Sequence, residues 1–326
     1  MNFSWRTAGI VIVIGLLVGF GAGRSYPWKK DGQMCSSVQL SHINQDLICA
    51  QPFVVDKSAY ESLQIQIDNF IKTEEDSKEL AEAAVYFRDL DDGPTFGINE
   101  YATFSPASLL KLPLLLAYLN LAEDKPELLD QKLTYELIND PYVPEIKPKE
   151  PIEPGKVYTV EQLLEHMTKF SDNKAYFVLR QYLHNLSPDK DLLASTYQDL
   201  GITDPKDPLD NTISVKSYAA IFVQVYHGSF FRKRETAERA LALLIESDYS
   251  QGIKAGVPEG IEVAHKFGER QAEDGRKQFH DCGIVFYPEN PYLVCIMTRG
   301  SDFQKLVQIS GEISKMIYEE FDSRKL

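Results

Sequence analysis

Strand-forming patterns in this chain fall into two groups far apart in sequence, so one sheet has to be assembled from both ends of the folded body. In the first group, AAVYFRDL and PTFGI flank Asp91-Asp92-Gly93 and read as a hairpin, β-branched and aromatic runs joined by turn residues. The second group comprises EVAHKFG, FHDCGIVFY and YLVCIMTR, the last two separated by the turn Tyr287-Pro288-Glu289-Asn290-Pro291. Between the groups, from about Glu123 to Gly228, the pattern is helical with loops, including a Pro-rich, charged stretch from Pro141 to Pro154 that is expected at the surface. A helix capped by Asp56 and carrying Tyr60, Leu63, Ile65, Ile67, Phe70 and Ile71 precedes the hairpin, and a strongly apolar helix from Pro106 to about Leu121 follows it. A final helix aligns Leu306, Ile309, Ile313, Met316, Ile317 and Phe321 on one face. The order helix, two strands, helical insert, three strands, helix predicts an α/β architecture: an antiparallel sheet flanked by helices, with an all-α lobe inserted between its second and third strands. A cleft between two such lobes is a natural site.

Ahead of this body, Ala8 to Gly23 is uncharged and apolar, with Arg6 before it and Arg24, Lys29 and Lys30 after it. Its sixteen residues are short for a span, where roughly 20 is typical, but flanking residues can extend it or the bilayer can thin locally. An uncleaved membrane anchor is the favoured reading, and a cleaved signal peptide with Gly21-Ala22-Gly23 as its site is the alternative. The expected organisation is therefore an anchor or signal segment over 1–30, a linker over 31–55 and a folded domain over 56–326, held outside the cytoplasm in the periplasm or at the cell surface. The formal charge of −14 repels a phosphate backbone, so nucleic acid is not an expected partner. Four cysteines form two local pairs, Cys35 with Cys49 and Cys282 with Cys295, and both disulfides and free thiols remain open readings. No CxxC spacing, His-x-His or His-Glu-x-x-His occurs, so no metal or other cofactor is expected.

Chemistry is suggested first by FSPASLLKLPLLLAYL. With Ser105 as N-cap and Pro106 at the first helical position, Ser108 falls in the first turn and Lys111 lies on the same face. A first-turn N–H has no intrahelical acceptor and can stabilise an oxyanion. A lysine surrounded by Leu, Pro and Ala is easier to deprotonate and can take the serine proton. Spacing alone is weak, because Ser-x-x-Lys also occurs at Ser171/Lys174 and Ser187/Lys190, and Ser187 reads as a loop or cap residue. Two further motifs give the first one company: Ser171-Asp172-Asn173 after an amphipathic stretch, and Lys266-Phe267-Gly268 on a predicted strand. Each has an ordinary explanation by itself, a capped turn for Ser171 and Asn173 and an edge-strand charge for Lys266.

Together, in this order, the three motifs resemble the Ser-x-x-Lys, Ser-Asp-Asn, Lys-[Thr/Ser]-Gly signature of class A β-lactamases and penicillin-binding proteins. The resemblance covers most of the chain after about Asp56 and implies a β-lactamase/transpeptidase-like fold. It also implies Ser108 as nucleophile, Lys111 as its base or proton relay, and Ser171 as the hydroxyl that hands a proton to the leaving nitrogen. Asn173 would bond the substrate amide, Lys266 would sit beside Ser171 and a substrate carboxylate, Gly268 completes the third motif, and the Glu269 N–H would be the second oxyanion donor. The implied partner is a small β-lactam or a peptidoglycan peptide.

Two positions depart from the family pattern. Phe267 stands where a hydroxyl residue usually helps hold a substrate carboxylate. The stretch QDLGITDPKDPLDNTISVKSY lacks the loop glutamate that activates the deacylating water in class A enzymes, and Asp207 before Pro208 is a candidate substitute. Three activities are compatible with these features: a β-lactam or amide hydrolase, a D-alanyl-D-alanine peptidase, and a non-catalytic binding domain. His280-Asp281 resembles part of a triad, but strand neighbours point to opposite faces.

Overall fold

The computed structural model describes residues 41–43, 60–90, 93–137, 144–202, 212–272 and 275–324, all of one folded unit. The apolar segment Ala8 to Gly23, Cys35, Cys49, Asp56 and Asp207 lie outside the described residues. Among the described residues no helix is long and apolar enough to cross a membrane.

In chain order the elements are α1 (Glu61–Asp76), β1 (Leu80–Asp89), β2 (Thr95–Ile98), β3 (Thr103–Phe104), a 3-10 turn at Ala107–Leu110 and α2 (Lys111–Ala122). The inserted lobe contains β4 (Lys132–Thr134), β5 (Val157–Thr159), α3 (Val160–Lys169), α4 (Asn173–Leu186), α5 (Leu192–Asp199), β6 (Ile213–Ser214), α6 (Val215–Tyr226) and α7 (Arg234–Ile245). The chain returns through a 3-10 turn at Gly252–Gly256 to β7 (Val263–Gln271), β8 (Lys277–Val285), β9 (Tyr292–Gly300) and α8 (Phe303–Ser323).

The main sheet runs β2-β1-β9-β8-β7, antiparallel throughout, so β9 pairs with β1 and joins the two strand groups. Alternation along β9 explains why it reads as an almost continuous apolar run. Tyr292, Val294 and Ile296 join the cluster built with α1 and α8, whereas Leu293, Cys295 and Met297 join the cluster of the helical lobe. A strand covered on both faces has no polar side to show. In α1 the buried residues Leu63, Ile67 and Ile71 are four apart, and Ile65, off that stripe, is 54% exposed. Helix α2 is apolar around most of its circumference because it lies inside the lobe, where Leu112, Leu114, Leu115, Leu116 and Leu119 are all buried.

Cys282 and Cys295 face each other in the β8–β9 register, with Cα atoms 4.0 Å apart, and form a disulfide. Three features differ from the sequence reading. Helix α7 was not anticipated, and short strand pairs β3–β6 and β4–β5 decorate the helical region. The Pro-rich stretch is not wholly at the surface: Ile152 is 1% exposed and packs into the lobe's core. Near the amino end of the described chain, the N–H groups of Ser41, His42 and Ile43 all donate to the Glu238 carboxylate, which fixes that short segment to α7.

Candidate active site

The expected N-cap role of Ser105 is not observed, because the sheet occupies all of its polar groups. Its N–H donates to Gln278 Oε1 at 3.1 Å, its Oγ accepts from Arg270 Nη1 at 2.7 Å and its carbonyl accepts from His280 Nε2 at 3.0 Å. Burial drives the His280 pKa down to about 3, which leaves a neutral imidazole suited to donate that one bond. The chain then turns through Ala107, at φ 49°, and Leu109 N–H closes a 3-10 turn on Pro106 O at 3.0 Å. Regular α-helix begins only at Lys111. From α6, the Tyr218 hydroxyl donates to Leu109 O at 2.9 Å and fixes the turn from the other side.

This anchoring presents Ser108 to the side chain of Lys111, whose Nζ lies 3.0 Å from Ser108 Oγ. Lys111 is 2% exposed, and its Nζ also meets Ser171 O at 2.5 Å, Asn173 Oδ1 at 2.7 Å and Ser171 Oγ at 3.1 Å. Gly268 brings β7 against the turn. A Cβ there would lie 3.1 Å from Pro106 O and Leu109 N and 3.2 Å from Ser108 N, contacts that leave little room for a side chain.

Within the Ser-Asp-Asn motif, the capping role falls to Asp172. Its Oδ1 accepts from Lys174 N at 2.8 Å and its Oδ2 from Ile152 N at 2.8 Å. Ser171, held at φ 54°, is thereby left to face the two lysines. Lys266 Nζ stands 2.9 Å from Ser171 Oγ and 2.8 Å from Phe267 O. Although β7 is an edge strand, Lys266 is 1% exposed and points inward, which removes the edge-protection reading. Burial, followed by repulsion from Lys111, holds its ammonium pKa well below the ordinary lysine value, against the opposing pull of Asp281 and Glu269. Phe267 belongs to the opposite cluster, where its ring stacks on Tyr249 at 4.1 Å.

Ser108, Lys111, Ser171, Asn173 and Lys266 are therefore linked by consecutive contacts, with Gly268 against the serine turn. Of the other Ser-x-x-Lys pairs, Ser187 ends α4 and Lys190 is exposed. His280 and Asp281 diverge as strand neighbours must. Asp281 instead pairs with His265, Oδ1 to Nδ1 at 2.9 Å, and its Oδ2 accepts from Ile253 N at 2.9 Å.

One polar feature at the rim was not anticipated as a side-chain contact. Glu269, 5% exposed, accepts from Ile146 N at 2.7 Å and from the backbone of Glu145. Burial pushes its carboxyl pKa up, partly offset by those two amides. The sequence offered a weak cue, an acidic residue just after a Lys-x-Gly motif on an apolar strand. Its partners lie in a loop without periodicity, so pairing could not be read from spacing. Among the described residues no group of three or more His, Cys, Asp or Glu could hold a metal ion.

A family model described as the beta-lactamase enzyme family, Beta-lactamase2, matches residues 62–321. Among curated proteins no sequence matches significantly. Solved structures do match. A mutant of PBP-A in an acyl-enzyme complex with penicillin G is 23% identical, with a TM-score of 0.66 over 81% of this chain and 97% of that one. TLA-1 extended-spectrum β-lactamase is 18% identical, with a TM-score of 0.67 over 80% of this chain and 98% of that one. A class A β-lactamase from Mycobacterium abscessus is 19% identical, with a TM-score of 0.65 over 78% of this chain and 99% of that one. The match to the family model over most of the body, on a fold shared with these structures, makes the chain a member of the beta-lactamase enzyme family.

Proposed function

We propose that the protein is a serine acyl-transfer hydrolase acting through Ser108 on a β-lactam or a related amide. The observation that carries this reading is the buried cluster in which Lys111 Nζ touches both Ser108 Oγ and Ser171 Oγ, while Lys266 Nζ touches Ser171 Oγ from the other side. Two amines buried around one hydroxyl disfavour two positive charges, so the pair is poised to hold less than its full complement of protons. A neutral Lys111 amine can donate to Ser171 O and Asn173 Oδ1 while accepting the Ser108 hydroxyl proton.

In this mechanism Ser108 Oγ attacks the carbonyl and the oxyanion lies between the N–H groups of Ser108 and Glu269. Ser171 passes a proton to the departing nitrogen, and water then releases the acyl group. Asn173 would bond the substrate amide. A substrate carboxylate would meet Lys266 without help from a hydroxyl at position 267, since Phe267 is packed into the core. That a similar PBP-A mutant carries penicillin G as an acyl-enzyme supports a β-lactam as acyl donor.

The test is intact-mass measurement after incubation with 6-aminopenicillanic acid and penicillin G, together with hydrolysis of a chromogenic cephalosporin. A Ser108-dependent adduct with turnover is expected. A stable adduct without turnover would favour the peptidase reading, and no adduct in the wild type would favour a binding domain. We further propose that Ala8 to Gly23 anchors the chain in a membrane and that the body lies outside the cytoplasm. A periplasmic reporter fused at the carboxyl terminus should be active, and activity confined to a cytoplasmic reporter would overturn that topology.

A further inference from the structure

The loop between β4 and β5 joins the two cores of the molecule at the rim of the site. Ile146 packs against the sheet-side cluster that contains Phe267 and Tyr249, whereas Ile152 is buried in the core of the helical lobe. Each end of this strap holds a residue adjacent in sequence to a proposed site residue. Ile146 N–H donates to Glu269, next to Gly268, and Ile152 N–H donates to Asp172, next to Ser171. Midway, Lys149 Nζ lies 3.1 Å from Asp248 Oδ2, and the Glu150 carbonyl bonds His166 Nδ1 at 2.9 Å.

The two ends are not equivalent. Asp172 also caps α4, so releasing it would fray a helix of the lobe. Glu269 belongs to β7, the last strand of the sheet, and reaches across to the amides of residues 145 and 146 with a flexible side chain. The N–H proposed as second oxyanion donor belongs to the same residue, so a donor whose carbonyl sits beside Ser108 and that N–H has this carboxylate and the loop it holds as near neighbours.

We infer that Glu269 is a specificity-determining residue for the acyl transfer proposed above: its carboxylate holds residues 145–146 across the exit from the cleft, so donors with a compact substituent on the reacting carbonyl are preferred to bulky ones. The inference rests on Ser108 being acylated, and it depends on the side chain alone, since the backbone amide of residue 269 persists in any substitution. The bond from Ile146 N–H is taken by Oε1, an acceptor that glutamine keeps without the charge, so Glu269→Gln weakens the hold and Glu269→Ala removes it.

Glu269→Ala and the isosteric Glu269→Gln, made in the full chain, test this in two ways. Hydrogen exchange over residues 144–148 should quicken about tenfold or more in Glu269→Ala, a change of the size expected for losing a bond to a charged group, and by less in Glu269→Gln. Residues 150–154, held by Asp172, should keep their protection. The wild-type preference for acylation by 6-aminopenicillanic acid over a fluorescent penicillin with a bulky acylamino group should fall about tenfold in Glu269→Ala and by less in Glu269→Gln. Adduct formation with an unchanged preference would overturn the inference and leave acyl transfer standing. Absence of any Ser108-dependent adduct in the wild type would overturn acyl transfer itself, and the specificity role with it.

Discussion

Strand β7 carries two buried ionisable clusters on opposite faces, one residue apart, and they are built on opposite principles. On one face Lys266 and Lys111 converge on the Ser171 hydroxyl, two cationic groups with a shared partner. On the other, His265 meets Asp281, whose second oxygen takes the Ile253 N–H. The second cluster joins a base to an acid and closes on the backbone, an arrangement that holds β7, β8 and the Gly252–Gly256 turn together. In the first, burial and then repulsion from Lys111 both disfavour the charged form of Lys266. A buried ammonium held below its ordinary pKa beside a hydroxyl is the pattern expected of a reactive site, whereas an acid and a base bonded to each other and to the backbone are the pattern expected of a structural one.

The contrast is most severely tested at Ser108. Replacing it with alanine removes a hydroxyl beside a cleft, so covalent labelling should vanish while thermal unfolding stays close to that of the wild type; equal labelling of the two proteins would exclude Ser108 as nucleophile. Lys111→Ala should slow acylation by about 10²–10⁴-fold, the range expected when a proton acceptor is removed, as measured by stopped-flow acylation. Asp207, outside the described residues, is the candidate for activating the deacylating water. If it has that role, Asp207→Asn should lengthen the acyl-enzyme lifetime by up to about 10²-fold or more at an unchanged acylation rate, followed by mass spectrometry of the adduct. Rapid turnover indifferent to this substitution would remove Asp207 from the mechanism.

The architectural cluster should respond in stability. Asp281→Ala leaves the His265 Nδ1 and the Ile253 N–H without their partner, and urea unfolding should show a loss of about 3–5 kcal/mol. A loss no larger than that of a surface substitution would show that the pair does little for the fold.

The smallest effect is a pH slope. Lys266 has a folded-state pKa depressed below its unfolded value, so between the two the unfolded chain binds more protons than the folded one. Stability from this group therefore falls as pH drops from the ordinary lysine value towards the depressed one, and rises with pH in that window. Lys111→Met removes the repelling neighbour and should flatten the slope, seen in urea unfolding from about pH 7 to about pH 9.

Local patterns made much of this protein legible. Apolar spacing marked α1, α8 and the strands of both groups, and the turn after Phe286 set Cys282 opposite Cys295. The three motifs could be ordered along the chain. What local pattern could not supply was the identity of partners distant in sequence. Ser105 looked like a helix cap because Ser-Pro before an apolar run usually is one, yet Gln278, Arg270 and His280 occupy its groups and the turn becomes 3-10.

The sequence by itself determined the alternation of the strands, the apolar helices and the order of the reactive residue types, because each depends on neighbours within a few positions. Tertiary structure alone decided that Ser105 bonds Gln278 rather than capping a helix, that Asp281 pairs with His265 rather than its neighbour His280, and that Glu269 reaches Ile146. Those contacts follow from sheet register and lobe packing, in which burial of the two cores fixes the backbone, and polar groups then find the partners the backbone brings within reach.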